Sequence, residues 1–273
     1  IVKDKLFFFG TYQSTYLRSD PQLSRIFLPT ARMRAGDFGG QTTVRDITTG
    51  QPFPGNQIPV SRYSGVALNW LKYLPDPGTP DGQILSGTPT QIDTAEYMGR
   101  IDYNLEKHRF TGKYFFQKEH QALAVNKENV ALPQTRDSSY PYSHTSVNHI
   151  YTLSPTKLNS ATFSFRKRTT TLSWLDTEFP IDMVRAGVKG LAFHPPEFYL
   201  AVSGYFTASV GQFYEKKDFD VHVADTFTWF RGKHEIKIGG EIIRSGNDID
   251  NHFRTMGQFE FNGANSGHAM ADF

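Results

Sequence analysis

The stretch Glu96 to Glu119, EYMGRIDYNLEKHRFTGKYFFQKE, decides the fold. Read in steps of two, Tyr97, Gly99, Ile101, Tyr103 and Leu105 form one row and Met98, Arg100, Asp102 and Asn104 the other. After Glu106, Lys107 and His108 the pattern resumes, with Phe110, Gly112, Tyr114 and Phe116 alternating with Arg109, Thr111, Lys113 and Gln117. Period-two alternation on both sides of a short polar break predicts a β-hairpin. One face is apolar and rich in aromatic rings, and the other carries Arg, Asp, Asn, Lys and Gln. A soluble sandwich usually hides Val, Ile and Leu and leaves its outer face short-chained. Rings outward and charges inward is the pattern of a strand with lipid outside and water inside.

The rest of the chain repeats this pattern three times. Leu6, Phe8, Gly10, Tyr12 and Tyr16 alternate with Lys5, Thr11, Gln13 and Thr15, while Phe7 and Phe9 break the polarity. In the second hairpin, from Ser143 to about Thr170, Val147, His149, Tyr151 and Leu153 lead through the turn Ser154–Lys157. The row then continues in Ala161, Phe163 and Phe165, against Ser160, Thr162, Ser164 and Arg166. The third hairpin spans Asp218 to Arg244. There Phe219, Val221, Val223, Phe227 and Trp229 alternate with Asp220, His222, Thr226 and Thr228. Beyond Arg231-Gly232-Lys233, Ile236, Ile238 and Ile242 oppose Glu235, Lys237 and Glu241. Asp225 falls in the apolar row without a visible reason, and Gly257 to Phe261 reads as a weak last strand.

Between these strands lie long segments, 19–95, 120–142 and 171–217; the first holds nine of the fifteen prolines. No proline falls inside a proposed strand, as a hydrogen-bonded ladder requires. Within the first segment, Val66, Ala67, Trp70, Leu71 and Leu74 recur at helical spacing behind Ser61 or Ser64 and stop before Pro75. That predicts a short amphipathic helix whose Trp70 packs onto its own loop. The connections alternate, long after Arg18, Glu119 and Thr170 and short at Glu106–His108, Ser154–Lys157 and Arg231–Lys233. Short periplasmic turns alternating with long extracellular loops characterise outer-membrane barrels.

Composition agrees. The chain of 273 residues balances 29 basic against 27 acidic side chains, so no strong field points to nucleic acid. It has no cysteine, hence no disulfide framework and no thiolate metal site. Aromatics reach 14%, yet no run approaches the roughly 20 apolar residues of a membrane-spanning helix. Mean hydropathy is −0.46, which excludes a helical membrane protein but not a barrel, since half of each strand faces water. The predicted fold is all-β, an antiparallel transmembrane barrel of which about seven or eight strands are present. Arg100, Asp102, Lys113, Arg166, Lys237 and Glu241 on the inner rows carry more charge than a small, tightly filled barrel pairs comfortably. A wider, wet barrel is expected, of which the chain is one partial domain, 1–273. The opening Ile1-Val2-Lys3-Asp4 and the non-alternating Gly267–Asp272 before Phe273 read as the ends of an internal piece.

With the hairpins placed, a family resemblance is visible. It rests on Lys3–Gly10 (KDKLFFFG), Arg34–Phe38 (RAGDF), Thr49–Pro59 (TGQPFPGNQIP), Gly99–Asn104 (GRIDYN), Tyr151–Pro155 (YTLSP) and Gly232–Glu241 (GKHEIKIGGE). The chain resembles the barrel region of the TonB-dependent outer-membrane receptors, and more narrowly their Oar-like branch, which has a carboxypeptidase-regulatory-like domain ahead of the plug. The resemblance implies a 22-stranded plugged barrel in a Gram-negative outer membrane, importing a ligand with energy from the TonB complex. It implies as partners lipid, lipopolysaccharide, the TonB complex and an unidentified ligand, with the plug and TonB-coupling segment lying outside this piece. It carries over no catalytic, cofactor-binding, metal or ligand-contacting residue.

A search for chemistry finds no phosphate loop, nucleophile elbow or HExxH pattern, so no enzyme and no cofactor is expected. His144 and His149 lie on opposite strand faces, and His194 reads as a loop histidine. Asn247–Asn251 lacks the glycine and glutamate of a calcium loop. Arg166-Lys167-Arg168 reads as a headgroup or lipopolysaccharide contact or a solvated patch. The alternative function is a secreted β-sandwich binding glycan or protein, with Trp174, Phe193 and Tyr199 as a platform.

Overall fold

The computed structural model describes residues 3–132, 134–173, 179–191 and 197–273. Seven long strands form one wall: β1 (Leu6–Ser19), β2 (Thr90–Asn104), β3 (His108–Gln121), β4 (Tyr142–Ser154), β5 (Lys157–Leu172), β6 (Phe213–Arg231) and β7 (His234–His252). Each pairs antiparallel with the next in chain order. The short strand Ser138–Ser139 fills the place above β4, pairing with β3 and β5. Pro141, which has no N–H to donate, separates it from β4. Among the described residues β1 and β7 do not pair with each other, so the wall is an open, curved section of barrel.

Register carries the alternation across all seven strands. Phe8, Ile101, Gly112, Val147, Phe163, Val223 and Ile242 stand side by side in one row. The next row is Phe7, Asp102, Thr111, Asn148, Thr162, Ala224 and Glu241. A slip of one residue in any strand would break both rows, so register is fixed by which face meets which medium. The apolar row has no second protein layer over it: Phe8 is 72% and Ile242 75% exposed. Tyr103, Phe110, Tyr114 and Phe163 also stay outside the buried core, which the sandwich alternative would have required them to enter.

That core lies elsewhere. Every buried apolar residue belongs to the connections or to the segment after β7, among them Leu28, Trp70, Val130, Phe198, Leu200 and Met256. Together these segments make a packed cap at one rim, while the short turns at the other rim stay bare. The turn Gly232-Lys233 places Gly232 at φ 60°, the first central position where two-residue hairpins favour glycine.

Trp70, in the helix Gly65–Leu71, packs edge-on against Phe198 of a different connection, ring centroids 5.3 Å apart, so its contacts reach beyond its own loop. The segment 120–142 contributes Val130 and Ala131 to the core. One expectation is corrected. Gln258–Phe261 is a strand but not a wall strand; it pairs parallel with Tyr199–Val202, which pairs with Phe206–Ser209 in a small cap sheet. Of the other cap predictions, Ser64 caps the helix by accepting from the Ala67 N–H at 3.4 Å.

Candidate functional site

Two surfaces are built for contact with something other than this chain's own core: the inner face of the wall and a cavity in the cap. On the inner face, charges are compensated along the face itself. Arg100 donates to both Asp102 oxygens at 2.6 and 2.9 Å, and the Thr111 hydroxyl donates to Asp102 at 2.7 Å. Arg166 pairs with Asp220, His222 meets Glu241 at 3.0 Å, and Lys237 meets Glu235 at 2.9 Å. Partners sit two residues apart on one strand or on the next strand, so none needs an opposite wall. Such exposed pairs each contribute little, about 0–1 kcal/mol; they keep the face ionic and wettable.

The outer face holds a buttressed polar pair and a ring stack. Asp225, unexplained by its row, accepts from Asn159 Nδ2 of β5 at 2.9 Å. Near the short turns His108 Nδ1 and His149 Nε2 lie 3.0 Å apart, so one ring donates and the other must be neutral to accept. Phe110 stacks on His149 at 4.3 Å and Tyr151 on His108 at 4.4 Å. Trp229 is flanked by the Lys157 ammonium at 5.7 Å and the Arg231 guanidinium at 5.3 Å. Rings and cations at a rim suit a membrane interface.

In the cap, long connections bind one another. Phe27 N–H donates to Tyr205 C=O at 3.0 Å, Val130 N–H to Tyr73 C=O at 3.1 Å, and Asn69 Nδ2 to Ala186 C=O at 3.1 Å. Arg34, half-buried, donates to the carbonyls of Leu71, Leu74 and Pro75 at 3.2, 2.5 and 3.0 Å, closing the C-terminal end of the Trp70 helix. Burial pushes its pKa below the ordinary guanidinium value, against a smaller opposing pull from Asp76. Glu197, fully buried, accepts from the Phe213 N–H at 2.8 Å and the Thr255 hydroxyl at 2.8 Å, fastening the cap to the top of β6 and the end of β7.

Between the strand Ser24–Phe27, the stretch 131–136 and the hairpin 199–209 lies an open cavity of about 740 Å³. Its lining includes Arg25, Phe27, Gln134, Arg136, Tyr205 and Gly211. None of these six was visible as a site residue in the sequence. They come from three connections with no shared periodicity, and only Gly211, at φ 81°, leaves a conformational trace.

The other sequence candidates disperse. His144 faces inward opposite Phe115 and Arg166 while His149 faces outward, as parity requires. Asn247–Asn251 is extended strand, not a calcium loop, with Asp248 opposite Lys217 and Asp250 beside His252 at 2.9 Å. Arg166-Lys167-Arg168 is not one patch, for Arg166 and Arg168 share the inner face opposite Asp220 and Asp218, and Lys167 lies on the other. Tyr199 lies under the Arg254 guanidinium at 4.1 Å; Trp174, Phe193 and His194 lie outside the described residues. Among the described residues no group of three or more metal-ligating side chains occurs.

No curated protein and no solved structure matches the chain. A family model described as the outer membrane beta barrel domain matches residues 1–273, its whole length. Ring-bearing outer rows, ionic inner rows and alternating short and long connections are the physical form of that assignment, with membrane lipid against the outer face. An outer-membrane protein of a Gram-negative bacterium, the chain belongs to the outer membrane beta barrel domain family.

Proposed function

We propose that the chain is part of the wall and extracellular surface of a TonB-dependent receptor that actively takes up a ligand. One observation carries the reading: the connections on a single rim fold together into a cap with its own core and a 740 Å³ cavity, above a wall with an ionic inner face. A bare pore needs no such cap, and a cap that merely shielded the rim would have no use for a cavity of ligand size. The sequence segments KDKLFFFG, RAGDF and GKHEIKIGGE support the same family branch. The open edges of β1 and β7 call for further strands to complete a barrel of the 22-stranded kind, because unpaired edge groups cannot stand in hydrocarbon. In this reading the work is capture and passage, not catalysis, and TonB supplies the energy from the periplasmic side.

The test uses the full-length parent protein in its native membrane. Outer-membrane fractions containing it should retain a purified periplasmic domain of TonB, and fractions from a strain deleted for the parent should retain less. Outer-membrane residence without any such difference would leave a barrel protein and remove the transport reading.

A further inference from the structure

We propose that the cap cavity binds a small organic anion, gripping its carboxylate or phosphate group between Arg25 and Arg136. The proposal gives the receptor reading a ligand class, but binding to the cavity does not depend on transport. About 740 Å³ is within the range of small-molecule sites, roughly 300–1,000 Å³. The lining holds two arginines and no aspartate or glutamate, so its own side chains carry net positive charge. Arg25 is exposed on the strand Ser24–Phe27, and its side chain makes no hydrogen bond or ion pair among the described residues.

Arg136 is half-buried, and among the described residues its guanidinium donates one hydrogen bond, from Nη1 to the Gln212 carbonyl, which uses one of five donors. Burial is the main influence on its pKa and lowers it; Tyr140 and Glu197 oppose this less strongly. The Glu197 carboxylate is already engaged by Phe213 and Thr255. A guanidinium desolvated with donors to spare is the group that gains most from a planar, doubly accepting anion. Room for it comes from Gly211, where an added Cβ would stand 2.4 Å from Arg136 Cδ. Phe27 and Phe206 supply apolar walls, and the exposed Thr207 lies at the margin.

The full-length parent, purified in detergent, is titrated calorimetrically with succinate, inorganic phosphate and, as a neutral control, maltose. At least one anion should bind and maltose should not. Arg25→Gln and Arg136→Gln should each weaken binding by about tenfold or more, the loss of one charge-assisted grip. Thr207→Glu, which places a carboxylate on the lining without touching the core, should do the same with an unchanged melting temperature. Absence of anion binding overturns the site, as does equal binding of maltose. So does anion binding indifferent to both Arg25→Gln and Thr207→Glu, which would leave Arg136 as a strut between connections. Because TonB retention is a separate measurement, the receptor reading and the anion site can fail independently.

Discussion

The wall and the cap solve opposite problems with the same residue types. Phe8 in the wall is 72% exposed and Trp70 in the cap 0% exposed, yet each is where the hydrophobic effect would send it. In the wall the apolar phase is lipid, so the rings point away from the protein and each strand needs only its neighbours' backbone. In the cap the apolar phase is the protein itself, so rings from separate connections must converge as they do in a soluble domain. The exposed rings are therefore a statement about solvent and not about poor packing.

Substitutions in the full-length parent can break or sharpen that contrast. The largest effect is expected from Trp70→Ala, which empties a fully buried site beside Phe198 and should cost the cap about 3–5 kcal/mol. Limited proteolysis should then cut the segment 20–89 readily while the wall still migrates as a folded barrel in gels; a wall that unfolds with the cap would show that the two are one cooperative unit. Next comes Ile101→Arg, which puts a charge on the lipid-facing row and should cost about 2–4 kcal/mol near the bilayer midplane. Phe7→Arg, in the inner row beside Asp102, should cost far less in denaturant titrations of vesicle-embedded protein. Equal penalties would mean that the two faces are assigned wrongly.

Arg34→Met should be milder. It strips hydrogen bonds from the carbonyls that end the Trp70 helix, for about 1–3 kcal/mol, seen as faster cap cleavage with no change in the wall. The smallest effect is acid-dependent. Burial pushes the His268 imidazole below its ordinary value of 6.5, and Asp272 opposes this more weakly. A depressed native pKa means that the unfolded chain takes up the proton first, so the stability is whole above 6.5 and is lost as pH falls from there through the native value. Asp37 is depressed from 3.8 by its hydrogen bond to Arg32, so its contribution fades only in a lower window. Protease resistance of the cap should therefore begin to fall first in the histidine window, and His268→Gln should flatten that step.

The wall was legible because one residue in two reports its medium. Tyr97, Ile101 and Tyr103 against Arg100 and Asp102 suffice to name both faces, and the two-residue period leaves no freedom once a turn is placed. Even the odd residue, Asp225, becomes regular once Asn159 stands near it across the sheet, a neighbour that parity alone could not select. Cap contacts had no such code. Trp70 announces a helix but not that Phe198 will receive it, because pairing between irregular segments follows shape rather than period. Arg25 and Arg136 are more than a hundred residues apart and line one cavity only through that shape. The same reason hid the last strand's destination: Gln258–Phe261 alternates like a wall strand, and only Tyr199–Val202, a partner of its own length, draws it into the cap.

Glu197 has a mechanical consequence. Its buried carboxylate is held by the first residue of β6 on one side and by Thr255, just past β7, on the other. Losing either bond would cost a buried anion one of its donors, so that corner of the cap is riveted to the barrel.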